Sequence, residues 1–456
     1  MRVCASIALA LLSLLSARAA LADDATPTAP AVDDPMLAPI PPAPRSVGGW
    51  DDALGDVRAR STDLRIAETR VGQAEGGARV ALAALLPSIS GSVTGSHQFL
   101  TKSTQSIDPV TGNTVTTTSP TENTLTAGAS LSQALVNVRA IWGLGTAKRN
   151  VEAASLSLED QKRQLTVSLA STMLSVLTAE RVAQLSRVGL KSALERLAIA
   201  KTRERLGAAT SLDLVRAQQD VEASRTSLVN ADEALRQARE ALGLALGVPI
   251  ATGLAPGVDG AAIEQGALRT CEAVGDLEDR ADLRSAKVQR EIAARGVTDV
   301  WMQFLPTLSA QSSASTGVSD APRGPSPTWS VSAVLSIPIW DGGARYGLLT
   351  TARAAEEQST QQLEALRRSA AIDGTQQKRA VEVAERSLAV SRQARDLAAE
   401  ADRLTRVGYE RGQGTSLELV TAANALRQAD VNLALQEFAV TRARVSSQLT
   451  FARCKW

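Results

Sequence analysis

One histidine, His97, and three cysteines, Cys4, Cys271 and Cys454, are the whole stock of imidazole and thiol in the chain. Metal binding needs such ligands at recurrent short spacings, and acid–base or nucleophilic catalysis needs a base beside a nucleophile. Neither pattern is present: no Ser, Cys or carboxylate cluster has catalytic or metal-ligand spacing. No phosphate-binding glycine loop occurs either, so energy for any active process must come from another protein. The chain therefore reads as no enzyme, with no metal and no cofactor. Cys271 and Cys454 lie beyond a secretory leader, and in an oxidising compartment they are either bridged or two separate thiols. Two carboxylates stand out by context. Asp213 lies in Thr210-Ser211-Leu212-Asp213-Leu214-Val215, and Glu418 in the matching phrase Thr415-Ser416-Leu417-Glu418-Leu419-Val420.

That phrase repeats at 205 residues, and it is not alone. Asp63-Leu64-Arg65 and Leu86-Pro87-Ser88 recur 219 residues later as Asp282-Leu283-Arg284 and Leu305-Pro306-Thr307. Each copy orders as a helix, alternating strands, then two long helices, so the fold is expected to be two tandem repeats. The long helices keep an apolar residue at every seventh place: Leu169, Val176, Ala183, Leu190 and Leu197; Leu214, Val221, Leu228, Leu235 and Leu242; Val383, Val390, Leu397 and Leu404; Leu419, Leu426, Leu433 and Val440. A 3.5-residue period held this long implies left-handed coiled-coil packing. The helix over 142–206 would reach roughly 100 Å at about 1.5 Å per residue, which suits a span rather than a globule. Gly207, Gly412 and Gly414 free the chain to reverse after each long helix. Thr210 and Thr415 then cap the next one, with Asp213 and Glu418 complementing the helix dipole.

Between the helices the period becomes two. Over 88–99, Ser88, Ser90, Ser92, Thr94, Ser96 and Gln98 share one side, opposite Ile89, Gly91, Val93, Gly95, His97 and Phe99. Stretches 124–134, 307–315 and 329–337 alternate the same way. A strand of about ten residues with one apolar and one small polar face matches a tilted membrane strand. A soluble half-buried sheet gives the same pattern, but four such strands at matching places in an exported chain favour the membrane. Lipid tolerates no open sheet edge, so the four strands must close with further copies of the chain. Two chains would give eight strands around a filled interior, and three would give twelve around a pore lined by hydroxyls. Polar loop tips are expected at Asp108–Asn113 and at 322–325.

Residues 1–22 read as a signal peptide, with Arg2 ahead of the apolar run Ile7–Leu15 and a cleavage tripeptide Ala20-Leu21-Ala22. The Pro/Ala-rich segment 23–50 is expected to stay extended or disordered as a linker. With 49 basic and 48 acidic residues there is no electrostatic case for nucleic acid. Aromatics at 3% are few for a globular core and sufficient for Ala/Leu-packed helices. The expected division is a first repeat at 51–247, with a β-hairpin at 88–134 and a helical hairpin at 139–247. An equatorial connection follows at 248–275. The second repeat is at 276–450, with its β-hairpin at 307–338 and helical hairpin at 344–450, and an equatorial tail closes the chain at 451–456.

In order and duplication these features resemble the TolC-like outer-membrane efflux proteins, the outer-membrane factors of tripartite pumps and type I secretion systems. Asp63-Leu64-Arg65, Leu86-Pro87 and their second copies, Ile339-Trp340-Asp341-Gly342-Gly343 and the two hairpin turns carry the resemblance, which runs from about Ala53 to Leu449. It implies a mainly α fold with membrane β. Long coiled-coil hairpins and four β-strands per chain would join in a homotrimer, whose twelve-stranded barrel in outer-membrane lipid continues into a helical tunnel across the periplasm. It implies passive conduction of substrates handed over by a periplasmic adaptor (membrane fusion) protein and an inner-membrane transporter. Leu206, Gly207, Gly412, Gln413 and Gly414 would form the adaptor-docking tips. Asp213 and Tyr409 fall where family members bond an acid to a tyrosine to hold the periplasmic aperture shut, and Glu418 falls in an inner carboxylate ring. Gly414 stands where a basic residue assists, with Arg411 the nearest substitute, and Thr421 stands where a second acid is expected. Any cation-binding constriction should therefore be weak. Helix capping alone also accounts for Asp213 and Glu418. In that architecture Cys271 and Cys454 both return to the equator, where a disulfide would pin the tail. The competing reading is a periplasmic adaptor or coiled-coil scaffold without a barrel, but such a chain carries one helical hairpin rather than two.

Overall fold

The computed structural model describes residues 31–119, 123–319 and 327–456. The expected signal peptide and the tip at 322–325 lie outside them. The first half runs β1 (Arg45–Val47), α1 (Trp50–Arg60), α2 (Thr62–Ala83), β2 (Ser88–His97), β3 (Lys102–Ile107), β4 (Thr114–Ser119), β5 (Asn123–Val136), α3 (Val138–Arg205) and α4 (Ser211–Ala245). After β6 (Thr252–Leu254), α5 (Gly260–Thr270) and β7 (Cys271–Ala273) come α6 (Ala281–Met302), β8 (Thr307–Ser319), β9 (Thr328–Ser336), α7 (Ala344–Glu410), α8 (Ser416–Thr450) and β10 (Ala452–Cys454). The chain is mainly helical, and α3 and α7, at 68 and 67 residues, dominate it. Among the described residues no helix is long and apolar enough to cross a membrane.

The recurring phrases turn out to be joints. Ser61, held extended, ends α1 and starts α2, its Oγ accepting from the Leu64 N–H at 3.3 Å. Asp63 and Asp282 then sit in first turns, while Leu64 and Leu283 are buried. Pro87 and Pro306 follow the helix ends and force extended chain into β2 and β8. In Asp341-Gly342-Gly343 both glycines have positive φ, and the Asp341 carboxylate accepts from the Gly343 and Arg345 N–H groups at 3.1 and 3.0 Å. This turns β9 into α7.

The four long strands form one antiparallel sheet in the order β2-β5-β8-β9. Its register keeps the two sides largely distinct in the outer strand pairs, while between β5 and β8 it sets Leu131 beside Ser312 and Ala127 beside Thr316 and shifts between Ala134 and Val136. Ile89 opposes Leu131, Val93 opposes Ala127, and Leu308 opposes Leu335. On the other side hydroxyls pair across strands: Ser90 with Ser130 and Ser96 with Thr124 at 2.7 Å, Ser313 with Ser330 at 2.9 Å. Every residue of β2 and β9 is exposed, and among the described residues neither outer edge has a strand partner. The β-hairpin expected over 88–134 pairs β2 with β5 and is longer than the second. Its extra length forms a second ribbon, β3–β4, because Asp108 closes a turn with Gly112 at positive φ.

The main core lies at the waist. Leu169, Met173, Leu174 and Val176 of α3 meet Leu242 and Leu246, Ile263 and Ala267 of α5, and Val445 and Leu449 of α8. Trp50 plugs this core from α1, donating Nε1–H to Thr270 Oγ1 at 2.9 Å; it lies so close over Gly266 that a Cβ there would fall 2.4 Å from its Cγ.

The Pro/Ala-rich segment departs from its expectation. Its described part, extended apart from a 3-10 turn at Pro35–Leu37, is docked along the α3–α4 hairpin. Asp34 pairs with Arg225 at 2.8 Å, Met36 and Leu37 pack against the cluster of Leu190, Val221 and Leu228, and β1 joins β6 in parallel. A segment too proline-rich to make its own core has borrowed one.

Candidate functional site

Both helical hairpins reverse by the same device. After α3, the Gly207 and Ala208 N–H groups return to Glu204 and Arg203 carbonyls at 2.9 and 2.8 Å, with Gly207 at φ 70°. After α7, Gly412 has φ 75°, and the Gln413 and Gly414 N–H groups both reach the Gly408 carbonyl. These are left-handed helix ends that glycine adopts without strain. Leu206 is 76% exposed beside the first turn. A Cβ at Gly414, where the resemblance sets a basic residue, would lie 3.1 Å from the Tyr409 nitrogen, a close approach across the turn.

The restarts are full capping boxes. Thr210 Oγ1 accepts from the Asp213 N–H, and Asp213 Oδ2 accepts from the Thr210 N–H at 3.0 Å; Thr415 and Glu418 repeat this, with 2.9 Å for the return bond. Glu418 is occupied by that cap. Asp213 does more: its other oxygen accepts from the Ser416 hydroxyl on the second hairpin. That bond, with the Thr210 N–H, holds the Asp213 carboxyl below the usual carboxylate range. Within this chain, then, Asp213 meets Ser416 of the second hairpin. Tyr409 has a different partner, Arg203 of α3, whose guanidinium lies 4.3 Å from the ring centroid and donates to the Tyr409 carbonyl at 3.1 Å. Arg203, rather than Arg411, is the cation here, and its charge also complements the C-terminal end of α7. Thr421 donates its hydroxyl to the Leu417 carbonyl.

Above these ties the two hairpins line a cavity of about 500 Å³, with Ile199, Ala217, Leu419, Arg203 and Tyr409 among its walls. Higher still, Arg427 of α8 crosses to Ser224 of α4, where burial pushes its guanidinium pKa down. Sequence reading singled out neither Arg203 nor Arg427. The one available signal was Ser416, which lies inside the repeated phrase.

At the far end of both hairpins, β7 and β10 pair antiparallel with Cys271 opposite Cys454. The two are joined by a disulfide with a Cα–Cα separation of 4.1 Å. Among the described residues no group of three or more His, Cys, Asp or Glu is placed to hold a metal.

Comparison with known proteins places this geometry. The family model for outer membrane efflux proteins matches residues 53–248 and 276–448. The pyoverdine export outer membrane protein OpmQ of Pseudomonas putida is 26% identical over 70% of this chain and 67% of its own length. Nodulation protein T of Rhizobium leguminosarum bv. trifolii is also 26% identical, over 84% of this chain and 81% of its own. In fold, the Campylobacter jejuni CmeC outer membrane channel superposes with a TM-score of 0.73 at 16% identity, covering 93% of this chain and 94% of that one. The family model takes in both helical hairpins and the four-stranded sheet, and the chain belongs to the outer membrane efflux protein family.

Proposed function

We propose that three copies of the chain close into an outer-membrane channel whose helical part is a periplasmic tunnel, and that it passively conducts efflux substrates to the exterior. The observation that carries this is the four-stranded sheet with one mainly apolar side and two edges that have no strand partner among the described residues. Such edges are untenable in lipid, where each unpaired backbone group costs several kcal/mol. Because the four strands alternate in direction, β9 of one copy meets β2 of the next antiparallel, and the ring closes without a fault. Three copies rather than two leave an open interior, lined by the Ser/Thr side of the sheet. Trp301, Phe304 and Tyr346 gather near the helical end of the sheet, with ring centroids 5.6 and 5.9 Å apart, a place suited to an aromatic belt at the lipid boundary.

The helices ask for the same neighbours. Val383, Val390, Leu397 and Leu404 of α7 are all more than half exposed, with Ala394 and Ala401 beside them. A heptad row of this kind is the face of a coiled coil awaiting a helix. The tips at Leu206, Gly207, Gly412, Gln413 and Gly414 then present to a periplasmic adaptor, which links them to an inner-membrane transporter. Asp213, Tyr409 and Glu418 stand at the aperture.

The test is the mass of the detergent-extracted protein by light scattering, after isolation from an outer-membrane fraction on a density gradient. A three-chain mass is expected. A one-chain or two-chain mass, or recovery with the inner membrane, overturns the proposal.

A further inference from the structure

Arg427 of the second hairpin crosses to Ser224 of the first. Its stem lies over Gly189 in the C-terminal part of α3, where a Cβ would come 2.6 Å from its Cδ. Its Nη1 donates to Ser224 Oγ and lies 3.9 Å from Asp220 Oδ1. The Asp220 side chain is wholly withdrawn from solvent, and its other oxygen is held by Arg196 of α3 at 2.7 and 3.2 Å. Oδ1 itself has no hydrogen-bond partner among the described residues.

A buried carboxylate survives only with a counter-charge, and stripping its last one is strongly unfavourable. Arg196 is that permanent partner, because it belongs to the same hairpin as Asp220. Arg427 is a second and removable one. If the hairpins part, Asp220 keeps Arg196 and the Arg427 guanidinium returns to water, so the contact breaks without leaving a bare buried charge. Gly189 completes the device. Glycine inside a helix costs stability relative to alanine, and the space left by its missing Cβ is filled by the Arg427 stem. The contact is separate from the tip: the cavity lies between it and the Asp213–Ser416 and Arg203–Tyr409 ties.

We propose that Arg427, seated in the Gly189 gap against Ser224 and Asp220, is a second lock that holds the two hairpins together above the tip and limits how far the aperture opens. The proposal rests on the channel reading. It is tested by the conductance of the purified protein in planar bilayers, comparing the wild type with Arg427→Met and Gly189→Leu. The first keeps the stem and removes the charge. The second keeps every charge, favours the helix, and expels the stem. Both should shift the open-to-closed ratio on the order of ten-fold toward open, the weight of one charge-assisted hydrogen bond. Both should keep the wild-type mass and the Cys271–Cys454 bridge. Wild-type conductance that neither variant changes, or that only one changes, overturns the lock and leaves the channel standing. No conductance from any of the three proteins overturns the channel reading, and the lock with it.

Discussion

The two helical hairpins have nearly the same lengths, the same turns and the same capping boxes, yet they meet the rest of the chain differently. In α3, fourteen residues are buried, including Leu169, Val176, Ala183 and Leu190 of its heptad row. In α7, of almost equal length, only six are buried, and all four residues of its heptad row stand exposed. The first hairpin is enclosed by its own chain, through the N-terminal strap, α5 and the waist core. The second leaves α7 open along one side. A heptad row specifies that a helix wants a neighbour; it does not say which. A row satisfied within the chain stabilises the protomer, and a row left open is available for assembly.

The widest separation between the two should come from charge on the open row. Val390→Asp with Leu397→Asp should abolish the multi-chain mass in light scattering while leaving the helical circular dichroism of the chain intact. The next test sets one buried row residue against one open one. Leu228→Ala, at 1% exposure, should cost roughly 2–5 kcal/mol and lower the melting temperature of the helical signal, whereas Leu397→Ala should leave the protomer's own folding nearly unchanged. Cys454→Ser asks how much the first hairpin depends on the clasp at the waist. Removing a crosslink between residues 183 apart should cost about 2–4 kcal/mol, read as a lower melting temperature that matches the reduced wild type.

The smallest effect is at the tip, where Asp213 of the first hairpin meets Ser416 of the second. The Asp213 pKa is lowered below its ordinary 3.8, chiefly by the Ser416 hydroxyl and then by the Thr210 N–H. A depressed carboxyl contributes above its unfolded pKa and loses that contribution as pH falls through the folded value. The tie should therefore hold from neutral pH down to about 4 and weaken only below that. Conductance followed against pH checks this: a step upward near pH 6 would contradict it.

Much of the fold was legible because it is local and periodic. The heptads placed the helices, the alternation placed the strands, and Gly207, Gly412, Thr210 and Thr415 placed the turns. Asp63-Leu64-Arg65 and its copy were visible as repeats but not as joints, since only the structure shows Ser61 ending one helix and starting another. The proline-rich segment was misjudged because composition reports whether a segment can make its own core, not whether it fits a groove made by others. The hairpin tips were half legible: Asp213 stood out by its place in the phrase, but its partner Ser416 did not.

By itself the sequence determined the repeat, the element types, the two faces of each strand and the helix rows in search of neighbours, because each follows from side-chain spacing along one element. Only the tertiary structure decided that Arg203 takes Tyr409, that Ser416 takes Asp213, that Arg427 enters the gap at Gly189, and that the α7 row is left open. Those pairings join residues more than 200 positions apart, and no local period encodes which distant surface will arrive opposite a given side chain.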